Sequence, residues 1–445
     1  MQKINVFWFR RDLRLHDNAG LYYALKENYP VVPIFIFDTK ILDKLEEKKD
    51  KRVEFIHGTL IGMQEKLVKK QSSLEVYYGT PEDVFKQLTK EYDIQSVFTN
   101  HDYEPYGIER DEVIKNLLVE KKINFKSYKD QVIFEKDEVL KDDGKPYTVY
   151  SPYSRKWRAI LTDFYIKPYP VEKYVKKFFK QSPHKIPSLD SMGFKETDKN
   201  FPSENPADEL IKRYSKTRNF PGTEGTSRLG IHLRFGTISI RETVVKAKEL
   251  NSTFLNELIW REFYMAILWH FPQVGHHKAF KPEYDNIKWR NNEEEFKKWC
   301  TGQTGFPIVD AGMRQLNETG YMHNRVRMIT GSFLCKDLLI DWRWGEAYFA
   351  EKLLDFDLAA NNGGWQWVSG SGCDAAPYFR IFNPELQTKK FDKDLKYIKQ
   401  WVPEFQEFDY PKPMVDHAEA RVRCIEVYKA AVSKVNSLSF GNGLG

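Results

Sequence analysis

Short apolar runs rich in β-forming residues recur through the first 130 positions, at 4–9, 31–37, 74–78, 96–99 and 125–128. Between them, around 17–28, 52–70, 81–91 and 108–121, the apolar positions return at helical spacing. This alternation predicts βαβ units, and strands apolar on both faces predict a parallel sheet covered on both sides. Thr80-Pro81 supplies an N-cap followed by proline at the first helical position. Residues 1–130 are therefore expected to form a doubly wound, Rossmann-like α/β domain. It lacks both G-x-G-x-x-G and G-x-x-x-x-G-K-[ST], so a ligand in its crevice must be held without the usual phosphate loops.

From 131 to 205 the pattern dissolves into charged and proline-containing sequence, which reads as a connector with short helices. Beyond 206 hardly any strand-like run occurs. Helical periods at 253–270, 293–300, 308–319, 325–340 and 345–354 predict an all-helical domain over 206–435. The last ten residues, ending Gly441-Asn442-Gly443-Leu444-Gly445, are expected to be frayed.

Composition adds one oddity. Aromatic residues make up 15% of the 445 positions, 11 of them tryptophan, which is more flat π surface than a soluble domain needs. The net charge of +6 means that any basic patch must be local. The cysteines Cys300, Cys335, Cys373 and Cys424 are widely spaced, indicating neither a disulfide framework nor a zinc site and fitting a reducing cytoplasm. The run at 4–9 is too short for a signal peptide or a membrane span, and no apolar stretch follows Arg10-Arg11 as a twin-arginine signal requires. Neither H-E-x-x-H nor G-x-S-x-G occurs, so metal-dependent and serine hydrolase chemistry are the weakest candidates.

Several segments do offer chemistry. Gly225-Thr226-Ser227-Arg228 precedes an amphipathic run and presents hydroxyls, backbone N–H groups and a cation, suited to a diphosphate or to plain helix capping. On the 253–270 helix, Leu255, Leu258, Ile259, Phe263 and Ala266 share one face, while Glu257, Trp260, Arg261 and Tyr264 gather on the opposite one. That second face contacts a ligand or packs on a neighbouring helix, and Glu262, on the apolar side, needs a partner. The segment 355–367, with Asp355, Asp357, Asn361, Asn362, Gly363 and Gly364, is poor helix material and reads as a turn that brings backbone and polar groups to a ligand. Its Trp365-x-Trp367 signals stacking, whereas Trp289, Trp342 and Trp344 taken singly read as core or surface aromatics. Arg325, Arg327 and Arg380, with Lys389 and Lys390, add the cations that a nucleic-acid groove with interleaved aromatics requires.

Together these segments resemble the cryptochrome/photolyase family, in its class I cyclobutane pyrimidine dimer (CPD) branch. The likeness runs from Trp8-Phe9-Arg10-Arg11-Asp12-Leu13-Arg14 through Glu224-Gly225-Thr226-Ser227-Arg228-Leu229. It is near-continuous from Asn256-Glu257-Leu258-Ile259-Trp260-Arg261-Glu262-Phe263-Tyr264 to Asp374-Ala375-Ala376-Pro377-Tyr378-Phe379-Arg380. The resemblance implies an α/β antenna domain, a connector and a helical domain enclosing FAD, whose reduced anionic form is active. By resemblance, Tyr214, Thr226, Ser227 and Arg228 would hold the FAD phosphates, and Glu257 and Arg261 would line the cavity. Asp355 and Asp357 would face flavin and ribose, Asn361 would sit by the central-ring nitrogen, and Arg327 would pair with Asp355. The implied reaction is light-driven CPD repair in DNA, with an electron lent to the dimer and returned. Trp260 and Trp367 would sandwich the flipped-out dimer, Glu257 would hydrogen-bond its carbonyls, and Asn324 and Met328 would border it. Arg218, Arg325 and Arg380 would bind DNA, and Trp365, Trp342 and Trp289 would relay electrons to the flavin. A cytoplasmic monomer with no membrane attachment and no obligate protein partner is expected.

The chain departs from the family in places. Tyr106-Gly107 stands where folate-binding members carry Asn-Glu, so the identity of a second, antenna chromophore stays open among a deazaflavin, a flavin and none. Gly230 replaces a common serine and Tyr321 a tryptophan. Two rivals share the fold. A cryptochrome photoreceptor predicts a long signalling tail and a lost dimer pocket, and a (6-4) photolyase predicts a histidine pair where Asn324 and Met328 stand.

Overall fold

The computed structural model describes residues 2–198 and 200–439, so positions 440–445 of the tail expected to be frayed lie outside the described residues. The chain divides into two compact units. One comprises Met1–Glu135, Ala159–Pro206 and Arg228–Glu249, the other Lys136–Arg158, Ala207–Ser227 and Leu250–Gly445. The segment read as a connector is thus shared, 136–158 going to the second unit and the remainder to the first.

In the first unit, β1 (Lys3–Phe9), β2 (Val31–Asp38), β3 (Glu75–Gly79), β4 (Asp93–Asn100) and β5 (Asn124–Tyr128) form a parallel sheet of order β3-β2-β1-β4-β5. Val6 stands opposite Val32 on one side and Val97 on the other. Successive residues of β1 point to opposite faces, so Phe7 and Phe9 enter one core and Val6 and Trp8 another, which is why the run is apolar throughout. The crossover helices are Ala19–Lys26, Lys51–Val68, Pro81–Glu91 and Pro105–Glu120, and Thr80 caps the third by accepting the Asp83 N–H at 3.2 Å. The strand order reverses between β1 and β4. Just past β1, Arg10 pairs with Asp111, while Arg11 reaches Glu104 at 2.9 Å and Asp102 at 3.4 Å. Burial alone would raise the Asp102 carboxyl, but Arg11, Arg110, Arg10 and Arg234 hold it well below the usual carboxylate range. The segment 228–249 is tied in by buried charge: Arg241 donates to Asp17 and to Asp130, each at 2.8 Å, and Arg14 donates to Asp130 at 2.7 Å.

The second unit is helical among its described residues. The expected helix at 325–340 is Asn324–Ser332 followed by a π-helical turn, Phe333–Asp337. The segment read as a turn, 355–367, is instead mostly helix, Leu358–Ser369. Asp357 starts it, its carboxylate accepting the Ala360 N–H at 3.3 Å. Two glycines disfavour it by about 1 kcal/mol each relative to alanine. Burial of Trp365 and Val368 outweighs that, at about 1.5–3 kcal/mol per large apolar side chain. Gly363 is also required, because a Cβ there would lie 2.2 Å from the Tyr264 ring. Trp299, Phe333, Leu334, Trp342 and Trp365 share the main core of this unit.

Candidate active site in the helical unit

The helix Ser252–His270 begins at Asn251, whose side chain accepts the N–H groups of Thr253 and Phe254 at 2.9 and 3.2 Å. Leu255, Leu258, Ile259 and Phe263 are buried along one face. Glu262, also buried, accepts the indole N–H of Trp157 at 2.5 Å, which supplies the partner its position demanded. The opposite face, Glu257, Trp260, Arg261 and Tyr264, lines a cavity of about 420 Å³. Further helices line it with polar groups. Asn324–Ser332 contributes Asn324, Arg325, Arg327 and Met328; Leu358–Ser369 contributes Asn361, Gly364, Trp365 and Trp367, with Asp355 and Asp357 just before it.

Inside, the polar groups are fixed. Arg327 Nη2 donates to both carboxylate oxygens of Asp355, at 2.9 and 3.1 Å, and its Nε donates to the Met322 carbonyl at 2.8 Å. Asn361 donates its amide N–H to the Glu346 main-chain oxygen at 3.0 Å, which leaves Oδ1 as the acceptor it can turn to the cavity. Behind it, Asn362 donates to the Glu346 carboxyl at 2.8 Å and accepts from Gln366 at 3.0 Å, and burial pushes the Glu346 carboxyl above the ordinary glutamate value. Gly364 presents bare backbone to the cavity, where an added Cβ would meet nothing within 4 Å. A flat, polar-edged ring system fits such surroundings: open helix backbone, a fixed carbonyl acceptor and an anchored cation. These residues suit a flavin.

At the mouth, Trp260 is stacked on Tyr150 with ring centroids 3.6 Å apart and planes 5° from parallel, so one indole face is already covered. Trp367 is half-buried, 6.5 Å from Phe382. Glu257 forms an ion pair with Arg218; burial nevertheless raises its carboxyl above the ordinary value, against the lowering effect of that guanidinium. Arg325 donates to Asn219 at 2.8 Å and lies over the Phe391 ring, and burial together with Arg218 and Arg380 lowers its pKa. Arg380 is exposed above Phe382.

The residues expected to hold a diphosphate lie off the cavity wall. Tyr214 is buried edge-on to Phe254. Thr226 Oγ1 is 3.0 Å from the Tyr321 hydroxyl, over whose ring the Arg327 guanidinium sits. Ser227 ends one segment of the second unit, and Arg228, with a left-handed φ of 52°, begins the last segment of the first. Of the three relay tryptophans, Trp365 packs against Phe349 at 4.9 Å and against Gly345, one turn beyond Trp342 on the helix Trp342–Lys352. Trp342 is buried, and the Trp289 strand of chain is pinned beside it: Arg290 N–H donates to the Leu339 oxygen at 2.8 Å and Asp341 N–H to Asn291 at 2.9 Å. Tyr150 and Glu346 escaped the sequence reading. Neither stands in a motif, and each acts on a residue distant in the chain.

Among the described residues no group of His, Cys, Asp and Glu could hold a metal ion, and no helix is long and apolar enough to cross a membrane.

Residues 254–409 match the family described as the FAD binding domain of DNA photolyase, and residues 5–173 match the family described as DNA photolyase. The deoxyribodipyrimidine photo-lyase of Synechococcus sp. is 38% identical over 92% of this chain and 90% of its own length. A bacterial class III photolyase from Agrobacterium tumefaciens is similar in structure, with a TM-score of 0.84 and 32% identity over 97% of this chain and 98% of that one. So is an archaeal photolyase from Sulfolobus tokodaii with two FAD molecules, at a TM-score of 0.80 and 33% identity over 97% and 100%.

Proposed function

This chain belongs to the DNA photolyase family, and on that footing we propose that it repairs cyclobutane pyrimidine dimers in DNA by the light-dependent deoxyribodipyrimidine photo-lyase reaction. The observation that carries the reading is the union of Glu257, Trp260 and Trp367 with Asn361 and the Arg327–Asp355 pair around one cavity. Reduced FAD, when bound and excited, supplies the electron that opens the cyclobutane ring and takes it back afterwards.

The chain supplies position and electrostatics. Arg327, held by Asp355, places a cation beside the cavity and favours negative charge on its occupant. Asn361 Oδ1, left free to turn to the cavity, would accept a hydrogen bond from the central nitrogen of a reduced flavin. Tyr214, Thr226, Ser227 and Arg228 would hold the diphosphate of FAD, Asp355 and Asp357 would face flavin and ribose, and Arg261 would complete the lining. The dimer leaves the duplex, at a lower cost than a well-stacked base, and enters between Trp260 and Trp367 beside Asn324 and Met328, while Glu257 meets its carbonyls. Arg218, Arg325 and Arg380 grip neighbouring phosphates. Trp289, Trp342 and Trp365 would pass electrons inward to a bound flavin and restore its reduced form. The protein acts as a cytoplasmic monomer without a protein partner. A second, light-harvesting chromophore completes the proposal, as the S. tokodaii relative carries a second FAD, and extraction of the bound chromophores identifies it.

The deciding assay incubates reduced protein with oligonucleotides carrying a CPD or a (6-4) product, in blue light and in darkness. Restoration of the CPD substrate alone, only in light, with repair slowed by Glu257→Ala, is expected. Repair of the (6-4) product overturns the assignment in favour of that rival, and absence of any repair favours a photoreceptor.

A further inference from the structure

Glu257 is the carboxylate that the repair reading sets against the dimer, yet it is engaged by Arg218, with side-chain exposures of 23% for Arg218 and 28% for Glu257. The pair poses a chemical contradiction. An ionised carboxylate only accepts hydrogen bonds, and so do pyrimidine carbonyl oxygens. Ionised Glu257 facing them would repel them, and would repel still more the negative charge the dimer acquires when the electron arrives. A neutral acid in the same place donates an O–H and stabilises that charge.

The mouth of the cavity provides a way to change state. Arg218 shares it with Arg325, whose charge is destabilised by burial and by both Arg218 and Arg380. A phosphate relieves this crowding and offers Arg218 a bidentate partner. We propose that Arg218 exchanges Glu257 for a DNA phosphate as the dimer enters, and that Glu257 takes up one proton from solvent in the same step, meeting the dimer as a neutral donor.

The groups facing Glu257 permit this. They are Arg218 and Tyr214 from the 214–218 segment, Tyr150 from the helix Tyr150–Ile160, Arg261 and Tyr264 from its own helix, and Asn324 and Met328 across the cavity. Tyr150 is pushed by burial up to about 12, and Tyr214 and Tyr264 higher still, so none of the three titrates near neutrality. Glu257 is already raised by burial with Arg218 in place, and departure of the cation and covering by the dimer both drive it further up. Arg218 is therefore a positioning residue that sets the protonation of the group touching substrate.

The inference rests on the repair reading but has its own dark readout. Calorimetric titration of the holoprotein with a CPD oligonucleotide, in buffers of different ionisation enthalpy at pH 7, is expected to show uptake of about one proton per dimer bound. The undamaged oligonucleotide should show almost none. Glu257→Gln should abolish the uptake while still binding the dimer, and an infrared difference band of a protonated carboxyl should appear on binding to the wild type and vanish in this variant. Arg218→Ala should also abolish the uptake, with Glu257 already protonated before DNA arrives. Dimer binding by the wild type without proton uptake, or uptake that persists in Glu257→Gln, overturns the exchange and leaves the repair reading standing. Failure of the wild type to prefer the dimer oligonucleotide overturns both.

Discussion

Buried charge at single residues sets how this protein responds to its surroundings, and Lys336 is the clearest case. It is 1% exposed in the π-helical turn, donates to the Ser369 oxygen at 2.7 Å and lies 3.7 Å from the centre of the Tyr428 ring. Burial pushes its pKa down to about 8. Between that value and the ordinary lysine value of about 10.4, the unfolded chain holds the proton and the folded chain has released it, so stability rises with pH across this window. Relative to Lys336→Met, the wild type should gain on the order of 2–3 kcal/mol between pH 8 and pH 10, read from urea unfolding midpoints at a series of pH values. A difference that stays constant with pH refutes a desolvated ammonium at this position. Such effects escape the sequence: Lys336 looks like any surface lysine until the ring of Tyr428 and the carbonyl of Ser369 are brought to it from elsewhere in the chain.

Among the elements, the helices were more legible than the site they build. The 252–270 helix declared both its faces, because its apolar set recurs at 3.6-residue spacing and its polar set could not be solvent decoration with Trp and Tyr in it. The 358–369 helix did not, since its Asn-Asn-Gly-Gly run has poor propensity and only tertiary packing of Trp365 and Gly363 overrides it. Gly345 shows the same logic between elements. Alanine there is intrinsically better in a helix by about 1 kcal/mol, but its Cβ would lie 2.1 Å from the Trp365 ring. Overpacking of this kind costs about 1–3 kcal/mol. Gly345→Ala should therefore lower the urea unfolding midpoint and, by shifting Trp365, slow photoreduction of oxidised FAD in a flash-photolysis measurement; an unchanged rate argues against Trp365 as the first relay step.

For the whole molecule, a charge of +6 spread over 445 residues makes DNA affinity a local affair. With Arg218, Arg325 and Arg380 as the phosphate contacts, log K for a CPD oligonucleotide should fall by roughly 3 per tenfold rise in salt, and each Arg→Ala variant should reduce that slope by about 1. Anisotropy titrations from low to moderate salt measure it, and a slope twice as steep means that a wider basic surface takes part. By itself the sequence determined the doubly wound sheet, the helical second half, the two faces of the 252–270 helix and, through its motifs, the family. Those features are written in period and spacing, which are local along the chain. The tertiary structure alone decided which far-separated side chains share one cavity. It put Arg218 on Glu257, Tyr150 on Trp260, and Glu346 behind Asn361, and it assigned 228–249 to the α/β unit through Arg241. Such pairings depend on how helices cross and which buried charges find partners, and no periodicity in a chain encodes them.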